Sequence, residues 1–225
     1  MLLTSLLLAC GTERGVRPGA DSVSYGGWVY LGPPSSEVVF GDGTVTFEPT
    51  GVEPVEATQL YEGYPGYWVA EALPPRTPFQ LRLEGEGAYP TVWAGDTPSA
   101  NGTWLSGALF AAEYAYIDDL LVTFAPPAPA APVGALADGA IHVWGLPNDG
   151  TAWDCADVRV QGRTPVCYLF DEAGAATLVT DGPFDWFFAF DLAPGEIVLD
   201  AGSGPIESWT AREGDLVMAF WLEPA

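Results

Sequence analysis

The sequence predicts an all-β protein: two tandem antiparallel β-sandwiches joined by a Pro/Ala-rich linker. Three observations carry this. Short β-rich runs recur along the chain with Gly, Pro and Asp between them, the pattern of a sandwich or barrel. Helix signals are nearly absent, because no capping box leads into a sustained 3.6-residue period. Ala125-Pro126-Pro127-Ala128-Pro129-Ala130-Ala131-Pro132 divides the chain into two halves with the same pattern. A length of 225 residues accommodates two cores of roughly 100 residues each.

The elements follow in order. Residues 1–9 are apolar and end at Cys10, and residues 10–24 are polar with Gly and Pro and no periodicity. That second stretch reads as a flexible tether reaching about 20 Å as a random coil. The first sandwich is assigned to 25–124, with strands over Trp28–Leu31, Glu37–Phe40, Thr44–Glu48, Val55–Tyr61, Tyr67–Ala72, Phe79–Leu83, Thr91–Ala94 and Leu120–Phe124. Phe40-Gly41-Asp42-Gly43-Thr44 has the Asp-Gly chemistry of a tight hairpin turn. Asp96–Asp119 reads as an excursion with a short helical turn, since Leu105, Leu109, Ala112 and Tyr116 fall three or four residues apart. Residues 125–136 form the linker, whose proline-rich run Ala125–Pro132 favours an extended rod of about 25 Å. The second sandwich, 137–225, carries strands over Ala140–Trp144, Ala156–Val160, Val166–Phe170, Ala176–Thr180, Trp186–Asp191, Ile197–Asp200 and Leu216–Leu222.

The halves share a repeat. An offset of 119, from Tyr67 to Trp186, aligns Trp68 with Phe187, Ala70 with Ala189, Leu73 with Leu192 and Pro75 with Pro194. The unit is a strand, a proline-fixed turn and a returning strand. In the second half, Asp181-Gly182 precedes the aromatic strand and Leu192-Ala193-Pro194-Gly195 follows it. In the first, Gly66 and Leu73-Pro74-Pro75 match, with Arg76 in place of the glycine. The unit resembles the signature of carboxypeptidase regulatory-like domains, also called transthyretin-like or prealbumin-like sandwiches. The resemblance covers about 40 residues per half and implies seven-stranded accessory or structural modules of secreted and surface proteins. It implies no catalytic set.

Leu6-Leu7-Leu8-Ala9-Cys10-Gly11 places branched apolar residues and a small residue before a cysteine and a glycine. This resembles the lipobox of bacterial lipoproteins. The resemblance implies cleavage before Cys10, acylation of its thiol, and a membrane partner reached through that lipid. It places the protein in the bacterial cell envelope, as an outer-membrane lipoprotein facing the periplasm or the exterior. The segment before Cys10 lacks a basic n-region, which points to a start upstream of Met1.

With Cys10 acylated, Cys155 and Cys167 remain as a pair. A disulfide suits the oxidising compartment that the lipobox implies. Free buried thiols and zinc are the alternatives, and zinc would lack a second cysteine pair. The two cysteines are symmetric about Gln161, so a hairpin turning at Gln161-Gly162 would set them opposite each other.

The chain has no lysine, seven arginines and thirty acids, a net charge of −23. A nucleic-acid binder needs a basic face to neutralise phosphates, so no nucleic-acid partner is expected. Binding an anionic membrane through a polybasic patch fails for the same reason. No uninterrupted apolar stretch reaches the ~18 residues of a spanning helix. The densest segment, Trp104–Phe124, is broken by Glu113, Asp118 and Asp119.

Catalytic motifs are scarce. His142 is the single histidine, on a strand whose alternation puts it on one face with Ala140 and Trp144, and no nucleophile elbow or Ser-x-x-Lys accompanies it. Zinc hydrolase motifs need at least two histidines. Gly41-Asp42-Gly43, Gly85-Glu86-Gly87 and Gly202-Ser203-Gly204 are turn glycines without a phosphate-binding fingerprint. A carboxylate-pair glycosidase needs only two acids, and among thirty none stand out as a pair. The chain therefore reads as non-enzymatic, with no catalytic residue, cofactor or metal assigned. The expected function is a lipid-anchored structural or protein-interaction module with an envelope protein or glycan as partner. The alternative is a surface carbohydrate- or calcium-binding module. Its candidate ligand contacts are Trp93 and Trp104, which flank the loop-like run from Thr97 to Gly102. Its candidate calcium acids are Asp154 with Asp157 and Asp181 with Asp185, although neither pair has the spacing of an EF-hand loop.

Overall fold

The computed structural model describes residues 22–32, 38–59, 65–99, 104–105, 108–114, 117, 141–147, 153–171, 176–202 and 204–222. Their architecture is all-β. The first half contributes β1 (Val23–Leu31), β2 (Gly43–Pro49), β3 (Val55–Glu56), β4 (Thr58–Gln59), β5 (Tyr67–Leu73), β6 (Pro78–Gly85), β7 (Thr91–Asp96), β8 (Trp104–Leu105) and β9 (Ala108–Ala111). The second contributes β10 (Ile141–Pro147), β11 (Val158–Val160), β12 (Val166–Phe170), β13 (Ala176–Val179), β14 (Trp186–Leu192), β15 (Gly195–Ala201), β16 (Pro205–Ala211) and β17 (Leu216–Leu222).

Each half is a two-sheet sandwich. In the first, β4-β5-β1 with β8 and β9 faces β3-β2-β6-β7. In the second, β13-β12-β14-β10-β17 faces β11-β15-β16. Strand alternation explains the cores. In β2 and β6, Val45, Phe47, Leu81 and Leu83 point inward, while Thr46, Glu48, Gln80 and Glu84 occupy the other face.

The repeat extends to register. Tyr25 of β1 lies opposite Ala70 on one side and Leu105 on the other; Val143 of β10 lies opposite Ala189 and Val217. A β-bulge interrupts both antiparallel pairs at the equivalent step, between Val23 and Tyr25 and between Ile141 and Val143. The extra residue takes a positive φ in each, 60° at Ala72 and 53° at Asp191. Gly27 pairs with Trp68 and Gly145 with Phe187, so each repeat sets a glycine opposite an aromatic residue on the neighbouring strand.

Four expectations change. The stretch 96–119 is more than an excursion, because β8 and β9 run parallel to β1 and complete the first sandwich. Among the described residues its helical character is seen in Ile117 N–H, which donates to the Glu113 carbonyl at 3.0 Å. β1 begins at Val23, inside the stretch read as tether, because Val23 and Tyr25 are buried and β5 supplies partners. Gly41-Asp42-Gly43 makes no tight hairpin, and none of the three has a positive φ. Val39 bridges Tyr30 while β2 pairs with β6, so this segment crosses from one sheet to the other. The expected strands at Ala156–Val160 and Val166–Phe170 turn at Gln161 and Gly162, both at positive φ, yet β11 and β12 enter different sheets. The segments 1–9, Leu120–Phe124 and the linker 125–136 lie outside the described residues.

The halves also share a sheet. β17 runs parallel to β7, pairing Leu216 with Thr91 and Val217 with Val92. This joins the strands into one nine-stranded sheet, β13-β12-β14-β10-β17-β7-β6-β2-β3. The apolar cluster of the first half continues into Trp144, Tyr168, Phe188, Leu216 and Met218. Val92 in turn packs into the second core. Arg82 and Asp215, 2% and 1% exposed, form an ion pair across the join. Arg212 pairs with Glu48 at 2.6 Å beside it.

Candidate functional site

Between the halves lies a cleft of about 860 Å³. One wall comes from β2, β6 and β7. Their register sets Glu48, Gln80 and Ala94 in one row, and Pro78 beside Asp96 in the next. The other wall comes from β15 and β16, with Glu196 and every residue from Pro205 to Thr210. Among the described residues, the carboxylates of Glu48, Asp96, Glu196 and Glu207 line the space and no arginine does. Glu48 is held by Arg212, with Arg82 Nε at 3.6 Å. Among the described residues no cation is paired with Asp96, Glu196 or Glu207. Burial pushes the Glu207 carboxyl up from its ordinary value, and the charge of Asp96 pushes it further. Such a site can accept hydrogen bonds and attract a cation.

The structure reassigns several sequence-based candidates. Trp93 is 6% exposed and points into the first core, where its Nε1–H donates to the Phe110 carbonyl at 3.1 Å. It stands edge-on to Phe110, with ring centroids 4.9 Å apart. Trp93 therefore offers no open ring to a ligand, because its strand parity matches that of the core residue Leu81 opposite it. Trp104 lies in β8, opposite Ser24.

Cys155 and Cys167 are joined, with Cα atoms 6.1 Å apart. They are not cross-strand hairpin partners. Cys155 sits in a 3-10 turn ahead of β11, and Cys167 lies in β12 of the opposite sheet, so the bond ties the two sheets of the second sandwich. Cys10 lies outside the described residues.

The acids beside these turns serve the backbone. Asp154 Oδ1 accepts from Ala156 N–H at 2.8 Å and from Gly182 N–H at 2.7 Å. Asp185 Oδ2 accepts from Phe170 N–H at 2.7 Å. Among the described residues no group of three or more His, Cys, Asp or Glu side chains is arranged to hold a metal ion. His142 is buried, accepts from Asp191 N–H through Nδ1 at 3.4 Å and stands edge-on to Phe190. Its environment is structural, beside the bulge at Asp191.

Sequence reasoning missed the cleft. Its carboxylates are spread from Glu48 to Glu207 and meet only through the packing of the halves. The sequence reading assigned no strand at β16, because Pro205-Ile206-Glu207-Ser208-Trp209-Thr210-Ala211 has few strong β-formers.

No protein-family model matches the chain, and no curated protein does. Solved structures similar to it include the TIE protein of Bacillus anthracis, at 8% identity and a TM-score of 0.31, covering 90% of this chain and 34% of that one. A streptococcal ancillary pilin matches at 8% identity and a TM-score of 0.25, covering 88% of this chain and 67% of that one. A shaft pilin of Lactobacillus rhamnosus GG matches at 7% identity and a TM-score of 0.22, covering 91% and 98%. The chain spans about a third of the length of the first of these. Likenesses at these TM-scores carry no argument about its role.

Proposed function

We propose that this protein is a lipid-anchored, non-enzymatic structural or protein-interaction module of the bacterial cell envelope. The observation that carries the reading is the pairing of Cys155 with Cys167. It leaves Cys10 as the single further cysteine, standing at the end of a lipobox-like run. A structural disulfide suits an oxidising compartment, the one a lipoprotein enters. The transthyretin-like signature of each half agrees with an accessory module. The acids that could have suggested calcium chemistry at Asp154 and Asp185 are engaged as backbone acceptors. The partners under this reading are the membrane, through lipid on Cys10, and an envelope protein or glycan, with no nucleic acid.

The test is mass spectrometry of membrane fractions. Diacylglycerol is expected on the Cys10 thiol, and Cys10→Ala is expected to release the protein into the soluble fraction. A Cys10→Ala variant that stays membrane-bound would overturn the anchor.

A further inference from the structure

The cleft wall formed by β16 is lined by every residue from Pro205 to Thr210. β16 ends the sheet β11-β15-β16, and among the described residues no strand pairs its other side. Across the space, β17 pairs with β7 through Thr91 and Val92, and among the described residues no strand pairs the same side of β7 from Ala94 to Asp96. Two strand edges thus flank one slot, and unpaired edges are templates for a further strand.

The size of the slot agrees. A strand residue occupies about 160 Å³, from a ~3.3 Å rise, a ~4.8 Å strand spacing and a ~10 Å sheet spacing. At 860 Å³ the cleft takes about five such residues. Its charge selects the occupant. Asp96, Glu196 and Glu207 converge without a paired cation among the described residues, in a chain that has no lysine.

We infer that the cleft binds an extended, lysine- or arginine-bearing segment of a partner protein. The segment adds as a strand to the free edge of β16, and its basic side chains meet Asp96, Glu196 and Glu207. This deepens the protein-interaction reading and rests on it.

The experiment is calorimetric titration of the full chain with an octapeptide of alternating lysine and threonine. Four comparisons accompany it: the same peptide N-methylated at alternate residues, an alternating glutamate–threonine octapeptide, spermine and maltohexaose. Saturable binding of the basic peptide is expected. The combined Asp96→Asn and Glu207→Gln substitutions should weaken it by about tenfold, the loss of two partly exposed ion pairs. Glu196→Gln, at an exposed position, supplies a milder variant if that pair fails to fold. N-methylation should weaken binding by about a hundredfold, through lost main-chain hydrogen bonds. Amide exchange of Ile206–Ala211 should slow in the complex. Equal binding of the N-methylated peptide or of spermine would reduce the site to unspecific charge attraction and overturn the inference. So would binding of maltohexaose alone, or no binding of any probe. Absence of peptide binding in a protein acylated at Cys10 removes this inference alone, whereas absence of acylation removes the anchor and leaves the cleft result standing.

Discussion

Gly145 and Phe187 pair across β10 and β14, and a Cβ on Gly145 would enter the Phe187 ring. Phe187 is buried in the second core and has little room to retreat. Gly145→Ala should destabilise the protein by about 1–3 kcal/mol, as overpacking does, measured by denaturant unfolding. Glu207 gives a pH signature of known sign. Its folded-state carboxyl titrates above the ordinary value because of burial and then Asp96. The folded state therefore holds its proton more tightly than the unfolded state does. The associated stability is full below the ordinary glutamate value and is lost as pH rises through the raised one. Glu207→Gln should remove that falling component, so stability curves of the two proteins diverge across this window. Parallel curves would show that burial and Asp96 do not perturb this carboxyl.

At the scale of elements, the disulfide acts across layers. It joins the 3-10 turn before β11 to β12, and these belong to opposite sheets. Replacing both cysteines with serine should lower stability by about 3 kcal/mol in the chain-entropy account of a short closed loop. A thermal melt with and without reductant reads the same loss, and an unchanged melting temperature would mean that the sheets hold without the staple. Element legibility followed local chemistry. Strands rich in Val, Leu, Phe and Trp, such as β5, β14 and β17, were visible in the sequence. β16 and β9 were not, because neighbouring β15 and β1 supply the ladder partners that their own propensity does not announce.

The whole molecule depends on the join between halves. Arg82 Nη1 donates to Asp215 Oδ1 at 2.5 Å, and Asp215 Oδ2 accepts from Arg212 N–H at 2.6 Å. Among the described residues Arg82 Nη2 has no hydrogen-bond partner, so its desolvation is only partly offset. Asp215→Asn leaves Arg82 charged and buried, and should cost about 3–5 kcal/mol. Replacing both together, Arg82→Met with Asp215→Leu, should recover much of that loss. With β7 and β17 in one sheet and Val92 in the second core, calorimetry should show a single cooperative transition. Two resolved transitions would mean that the halves unfold independently despite the shared sheet.

The sequence by itself determined the all-β class, the doubled grammar of the chain and the turn at Gln161-Gly162, and it favoured the pairing of Cys155 with Cys167 that the structure contains. These rest on local propensity, periodicity and residue counts, which neighbouring residues specify. The tertiary structure decided that the halves share one sheet, that Trp93 is a core residue, and that Glu48, Asp96, Glu196 and Glu207 meet in a cleft. Those outcomes depend on which strand edge finds which partner. A parallel pairing such as β7 with β17 links residues far apart in the chain and leaves no local pattern to read.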